Sequence, residues 1–112
     1  MLYIVAMEAF AALGDPTRRR IVEMLAGREL PAGDIARRFD MTQPAVSQHL
    51  RLLREAGLVR VRRDAQRRIY ALDARGLAEL DAWLARFRRF WGGRLDALER
   101  ELSREPEVRT SP

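Results

Sequence analysis

Val46, Leu50 and Leu53 recur at steps of four and three, which places them on one face of a helix. Gln43, Ser47, Gln48, Arg51 and Arg54 fall largely on the other side. Thr42 is a fitting N-cap for this helix, and Pro44 falls in its first turn, where a missing N–H costs little. Gly57 suits its C-terminal cap. Upstream, residues 31–39 predict a short helix with Ile35, Ala36 and Phe39 inward, and Asp40 and Met41 form a turn. Short helix, turn and second helix with a polar outer face make a helix-turn-helix, with residues 42–56 as recognition helix. The outer set is short, hydrogen-bonding and cationic, as base edges in a DNA major groove require. An ordinary amphipathic helix in a bundle is the competing explanation.

After Gly57 the periodicity changes. Residues 58–63 and 67–72 alternate over short range and are rich in β-formers, which predicts a half-buried hairpin. Val59 and Val61 face the core, with Tyr70 and Leu72 opposite. The tip, residues 64–66, lacks the Asn-Gly or Asp-Gly of the tightest turns. A hairpin directly after a recognition helix is a wing, and Arg62, Arg63, Arg67 and Arg68 crowd its end.

Nearer the start, Asp15-Pro16-Thr17-Arg18 has the form of a helix beginning, with Ile21, Val22, Met24 and Leu25 carrying it to Gly27. Residues 6–13 predict a short first helix with Met7, Phe10 and Leu13 as apolar points; Met1 to Ala6 could extend it, with Met7 as an alternative start. Asp73 caps a long final helix carrying Leu77, Leu80, Leu84, Phe87, Trp91, Leu95, Leu98 and Leu102. Trp83, Phe87 and Phe90 form a second stripe beside the first. One stripe suffices to pack a helix on its own domain. The broader face predicts contact with a second subunit through Phe10, Leu80, Trp83, Leu84, Phe87, Trp91 and Leu95; one wide intramolecular contact is the other option. Gly92 and Gly93 interrupt this helix, at about 1 kcal/mol each relative to alanine, and mark a kink or a close approach. The expected class is mainly α with a β-hairpin wing, about five helices in one unit over residues 1–105. Residues 106–112 make a flexible tail.

The net charge is +5 over 112 residues, and its placement is uneven. Seven arginines and two acids fall between Arg51 and Arg68, while elsewhere the signs cancel. The excess therefore sits on the end of the recognition helix and on the wing, as a footprint for phosphates requires. The DNA-facing set is Thr42, Gln43, Ser47, Gln48, His49, Arg51, Arg54, Arg62, Arg63, Arg67 and Arg68. His49 is either a phosphate contact or a packed side chain, because it neighbours the Val46–Leu50 face. Lysine and asparagine are absent, a pattern that fits codon bias toward GC-rich DNA. Cysteine is absent too, which excludes disulfides and thiolate metal sites. No run of eighteen apolar residues exists to span a membrane, and without an export signal a cytoplasmic location is expected.

With F-A-A-L-G-D-P-T-R-R-R-I, T-Q-P-A-V-S-Q-H-L-R-L-L-R-E-A-G-L-V and R-R-I-Y-A-L, the chain resembles the ArsR/SmtB family of bacterial winged-helix repressors from about Phe10 to Leu102. The resemblance implies a homodimer joined through first and last helices, binding inverted-repeat operators and repressing transcription. Metal-sensing members carry Cys-x-Cys at the start of the third helix; here Glu29-Leu-Pro-Ala-Gly-Asp34 stands there. Others use Asp and His pairs on the last helix, which here has no histidine. Asp81, Asp96 and Glu99 show no cage spacing. The pattern therefore looks like the cysteine-free branch that includes autorepressors, with no metal and no cofactor. No nucleophile, paired base or phosphate loop points to an enzyme. The expected partners are double-stranded DNA and a second copy of the chain. A sensor for an unidentified small-molecule effector, or a protein-interaction module, are the alternatives.

Overall fold

In the computed structural model, which describes residues 2–104, five helices and three strands occur among the described residues. Their order is α1 (Leu2–Leu13), α2 (Pro16–Met24), β1 (Leu30–Pro31), α3 (Ala32–Ala36), α4 (Gln43–Glu55), β2 (Val59–Asp64), β3 (Arg67–Leu72) and α5 (Ala74–Arg104). This is a mainly α winged helix-turn-helix. The strands make an antiparallel sheet in the order β1-β3-β2. Val59 pairs with Leu72 and Val61 with Tyr70, the register that the alternation predicts. The core joins Ala9 and Ala12 of α1 and Ile21 of α2 to Ile35 of α3, Val46, Leu50 and Leu53 of α4, and Val59 and Tyr70 of the sheet.

Helix starts follow their caps. Asp15 accepts from the Arg18 backbone N–H at 3.0 Å ahead of Pro16. Thr42 Oγ1 accepts from Ala45 N at 3.3 Å ahead of α4. Asp73, before α5, accepts from Arg75 N at 3.0 Å and from the Arg75 guanidinium. The helix ends depend on arginine. Arg18 Nε donates to Ala12 O at 2.6 Å and Arg19 to Leu13 O at 2.8 Å, filling carbonyls at the end of α1. Arg28 Nε donates to Met24 O at 2.9 Å at the end of α2.

Several expectations are corrected. The first helix begins at Leu2, so residues 2–6 extend it, the second of the two options open in the sequence. Its buried side is Ala6, Ala9 and Ala12, while Met7 and Phe10 are exposed; the small alanines let α1 lie close to its neighbours. The first helix of the helix-turn-helix ends at Ala36, and residues 37–42 form a longer connection. Phe39 in that connection lies under the Arg20 guanidinium, 5.0 Å from its ring centre. The strand β1 was not anticipated, since two residues carry no period. Leu80 belongs to this chain's own core, with 8% of its surface exposed, and is withdrawn from the subunit contact. The helix α5 runs unbroken through Gly92 and Gly93, where an added β-carbon would touch nothing within 4 Å. Met1, residues 105–112, which include the expected tail 106–112, and the side chains of residues 2–5 and Trp91 lie outside what is described.

The recognition helix ends in a closed cap. Leu58 N donates to Leu53 O and Gly57 N to Arg54 O, both at 3.0 Å, the two bonds of a Schellman motif. Gly57 has φ +75°, a conformation that favours glycine. Its carbonyl then accepts from Gly76 N at 2.9 Å, and Leu58 O accepts from Asp73 N at 2.9 Å. A β-carbon at position 76 would sit 2.6 Å from the Gly57 oxygen.

Helix propensity alone favours Gly76→Ala by about 1 kcal/mol. The backbone clash reverses the sign: Gly76→Ala lowers stability by about 1–3 kcal/mol, read from denaturant midpoints. A midpoint that rises would show that the two backbones have room to part.

Acid should unfold the chain through its caps. The Asp15 carboxyl is held below its usual range by the Arg18 backbone N–H, with His49 and Arg18 adding to this against partial desolvation. Asp73 is held low by the Arg75 side chain and then its backbone N–H. Folded values below the unfolded ones mean stability that is full above about pH 4 and lost as pH falls through the folded values. Asp15→Asn keeps a cap acceptor but not the charge, so its melting temperature should fall less steeply with acid. Parallel pH profiles for variant and parent would refute this.

Candidate nucleic-acid interface

The helix α4 divides its surface sharply. Val46, Leu50 and Leu53 are buried, with 1% or less exposed. Thr42, Gln43, Ser47, Gln48, Arg51 and Arg54 are all exposed. The outer face therefore offers two amides, two hydroxyls and two guanidiniums along one rigid rod, the donor and acceptor types that base edges and phosphates take. Arg51 lies 3.8 Å from Glu55 one turn on, an exposed pair that a stronger anion can replace at little cost.

His49 is turned away from this face. Its side chain is 16% exposed, and its Nδ1 lies 3.2 Å from Arg18 Nη1 and 3.9 Å from Asp15 Oδ2. Of the two roles open to it in the sequence, the structure places it in the packed one, between α4 and the start of α2. Arg18 thus joins three elements: it fills α1 carbonyls, its backbone N–H meets Asp15, and its guanidinium touches α4. The sequence offered a signal for this, an arginine three residues after an N-cap aspartate, but not its target.

The wing closes through a two-residue tip, Ala65 and Gln66, because Asp64 pairs with Arg67. Ala65 takes φ 58°, so the turn conformation is met without glycine. Strand alternation sorts the four wing arginines by face. Arg62 and Arg67 share the side away from the core. Arg62 is held by Glu29, with Nη2 to Oε1 at 2.8 Å, and Arg67 lies 3.6 Å from Asp64. This ion pair with Arg62 holds the Glu29 carboxyl below its usual range. Arg63 and Arg68 lie directly opposite each other on the core side, beyond the last core residues. Like charges placed so repel, and neither takes part in an ion pair among the described residues. Glu29 and Asp64 are the members of this surface that the sequence did not assign; their contacts need the sheet to form first.

Where α1 meets α5, Trp83 packs between Phe10 and Phe87, with ring centres 5.0 Å and 4.4 Å away. Phe10 and Phe87 stay exposed beside it, Leu84 is exposed next to it in sequence, and Leu95 is exposed about three turns further along α5. Among the described residues no group of three or more His, Asp or Glu side chains is arranged to hold a metal ion, and no helix is long and apolar enough to cross a membrane.

Residues 13–62 match a family model described as a helix-turn-helix domain. The chain is 51% identical over 79 residues to the HTH-type transcriptional regulator Rv2034 of Mycobacterium tuberculosis, covering 70% of this chain and 74% of that one. It is 37% identical over 78 residues to the transcriptional repressor SdpR of Bacillus subtilis, covering 70% and 87%. Among solved structures, an ArsR-like transcriptional regulator from Rhodococcus sp. RHA1 superposes with TM-score 0.71 at 28% identity, over 88% of this chain and 92% of that one. A protein described as a possible transcriptional regulator for arsenical resistance superposes with TM-score 0.69 at 41% identity, over 84% and 95%. Sequence, fold and the divided recognition helix agree that this chain belongs to the ArsR/SmtB family of DNA-binding transcriptional regulators.

Proposed function

We propose that the chain is a homodimeric repressor acting in the cytoplasm, where it binds an inverted-repeat operator through α4 and the wing. The observation that carries the DNA contact is the outer face of α4, where Gln43, Ser47 and Gln48 stand exposed above a buried inner face. In this reading those three side chains meet base edges, while Thr42, Arg51, Arg54 and the wing arginines meet phosphates. The dimer reading rests on the exposed apolar surface shared by α1 and α5. Phe10 is 37% and Phe87 43% exposed around Trp83, and Leu84 and Leu95 continue the patch. Apolar surface of this breadth marks an interaction site. A two-fold dimer would set its two recognition helices about 34–36 Å apart, one turn of DNA. Repression, the activity named for SdpR, then follows from occupying a promoter.

Gln48→Ala should cost about 1–3 kcal/mol of operator binding and leave binding to random DNA unchanged, so the ratio of the two falls. An unaltered ratio would remove Gln48 from base recognition. Phe87→Asp should yield a folded monomer by sedimentation and weaken operator binding by about 100-fold, since the second half-site no longer binds as part of one molecule. A dimer that survives this change would place the two-fold contact elsewhere.

A further inference from the structure

The short strand β1 leaves a space beside the wing. It pairs only Leu30 with Tyr70 and Pro31 with Ile69, so Arg67 and Arg68 extend past it with no strand on that edge. A groove of about 530 Å³ opens there between the start of α3 and the wing, with Gly33, Asp34, Arg37, Gln66, Arg67 and Arg68 among its walls. Three arginines and one carboxylate thus line the groove, Arg67 and Arg68 reaching it from opposite faces of the hairpin edge, with Arg67 also 3.6 Å from Asp64. Arg37 rests on Asp34 and keeps 74% of its side chain in solvent. Arg68 is also set against Arg63 across the hairpin, an arrangement that costs stability unless an anion is nearby. The walls offer guanidinium forks and the Gln66 amide, which suit a phosphodiester's unesterified oxygens. A DNA duplex gripped by α4 and the wing carries a phosphate about every 3.4 Å along each strand.

We propose that this groove receives a backbone phosphate of the bound duplex outside the base-reading contacts, held by Arg37, Arg67 and Arg68. This rests on the reading of α4 and the wing as the DNA surface. It adds Arg37, the C-cap residue that follows the first helix of the helix-turn-helix unit, to the contacts. Asp34 supports the Arg37 guanidinium and also subtracts from the groove's positive field. Removing its charge should therefore strengthen binding, whereas a merely structural Asp34–Arg37 pair would weaken when either partner is lost.

The test uses the full chain, a random-sequence duplex of about 30 bp and an operator duplex obtained by selection, each titrated over a salt series. Arg37→Ala should weaken both complexes about tenfold and flatten the log–log salt slope by about one unit for each groove engaged. Arg37→Lys should retain the slope, and Asp34→Asn should tighten both complexes. Operator duplexes with single methylphosphonate substitutions outside the half-sites should show one position that weakens the parent protein but not Arg37→Ala. An unchanged slope for Arg37→Ala would overturn the proposal, as would weaker binding by Asp34→Asn. If inorganic phosphate competes but no methylphosphonate position matters, the groove binds free anions only and the proposal fails. The recognition reading fails separately: Gln48→Ala alters only the ratio of operator to random binding, whereas Arg37→Ala alters both equally. A parent protein that binds neither duplex would overturn both readings together.

Discussion

The contact on which most of this architecture depends is the one between two glycines. The end of α4 and the beginning of α5 meet backbone to backbone, with Gly76 N on Gly57 O and Asp73 N on Leu58 O, each at 2.9 Å. No side chain lies between them, so no rotamer can absorb a change in their relative position. The helix α4 and the long helix with the apolar face are therefore fixed to each other directly. The intervening hairpin leaves and returns at the same point, because Val59 and Leu72 pair at its base. The wing direction is set by the same junction.

Midway along α4, at His49, polar contacts add to the packing of its inner face. Arg18 reaches carbonyls at the end of α1 and the imidazole of His49, while Asp15 caps α2 beside them. Helix ends carry partial charges, and arginine supplies both the charge and the donors to meet them. This chain has 21 basic residues and no lysine, so arginine serves inside the fold as well as outside it. Arg18, Arg19, Arg28 and Arg75 work on helix ends. Arg20 covers Phe39 and Arg62 holds Glu29. Helix ends and ion pairs thus occupy many of the arginines, whereas Arg63 and Arg68 enter no ion pair among the described residues.

What the sequence made legible was whatever repeats over several turns or several strand residues. The inward face of α4, the hairpin register and the caps at Asp15, Thr42 and Asp73 all rest on local spacing, and the structure agrees with each. What it concealed depends on partners distant in the chain. Two-residue β1 has no period and exists because β3 offers an edge. Glu29 meets Arg62 across 33 positions, and His49 meets Arg18 across 31. In the first helix the buried face is built from the small residues, which carry little weight in an apolar pattern. Phe10 and Met7 face out, and the alanines between them face in. A small side chain can be buried as completely as a large one, and periodicity weighted by size cannot see that.

The same limit explains Leu80. Its stripe on α5 has one spacing throughout, so sequence alone assigns all of it to one surface. The helix has 31 residues and extends roughly 46 Å, longer than the body against which it packs. Leu77 and Leu80 meet the core, but from Leu84 onward the stripe passes beyond it. Leu95, Leu98 and Leu102 keep the apolar spacing and are about half exposed. A helix gains nothing in isolation from leucines so placed, since their benefit comes only from leaving water. The stripe therefore changes role along its length, from holding α5 to its own domain to presenting a surface that a second copy of the chain would cover. Because α4 is fixed to the start of that helix, the geometry of such a contact would set the spacing of the recognition helices.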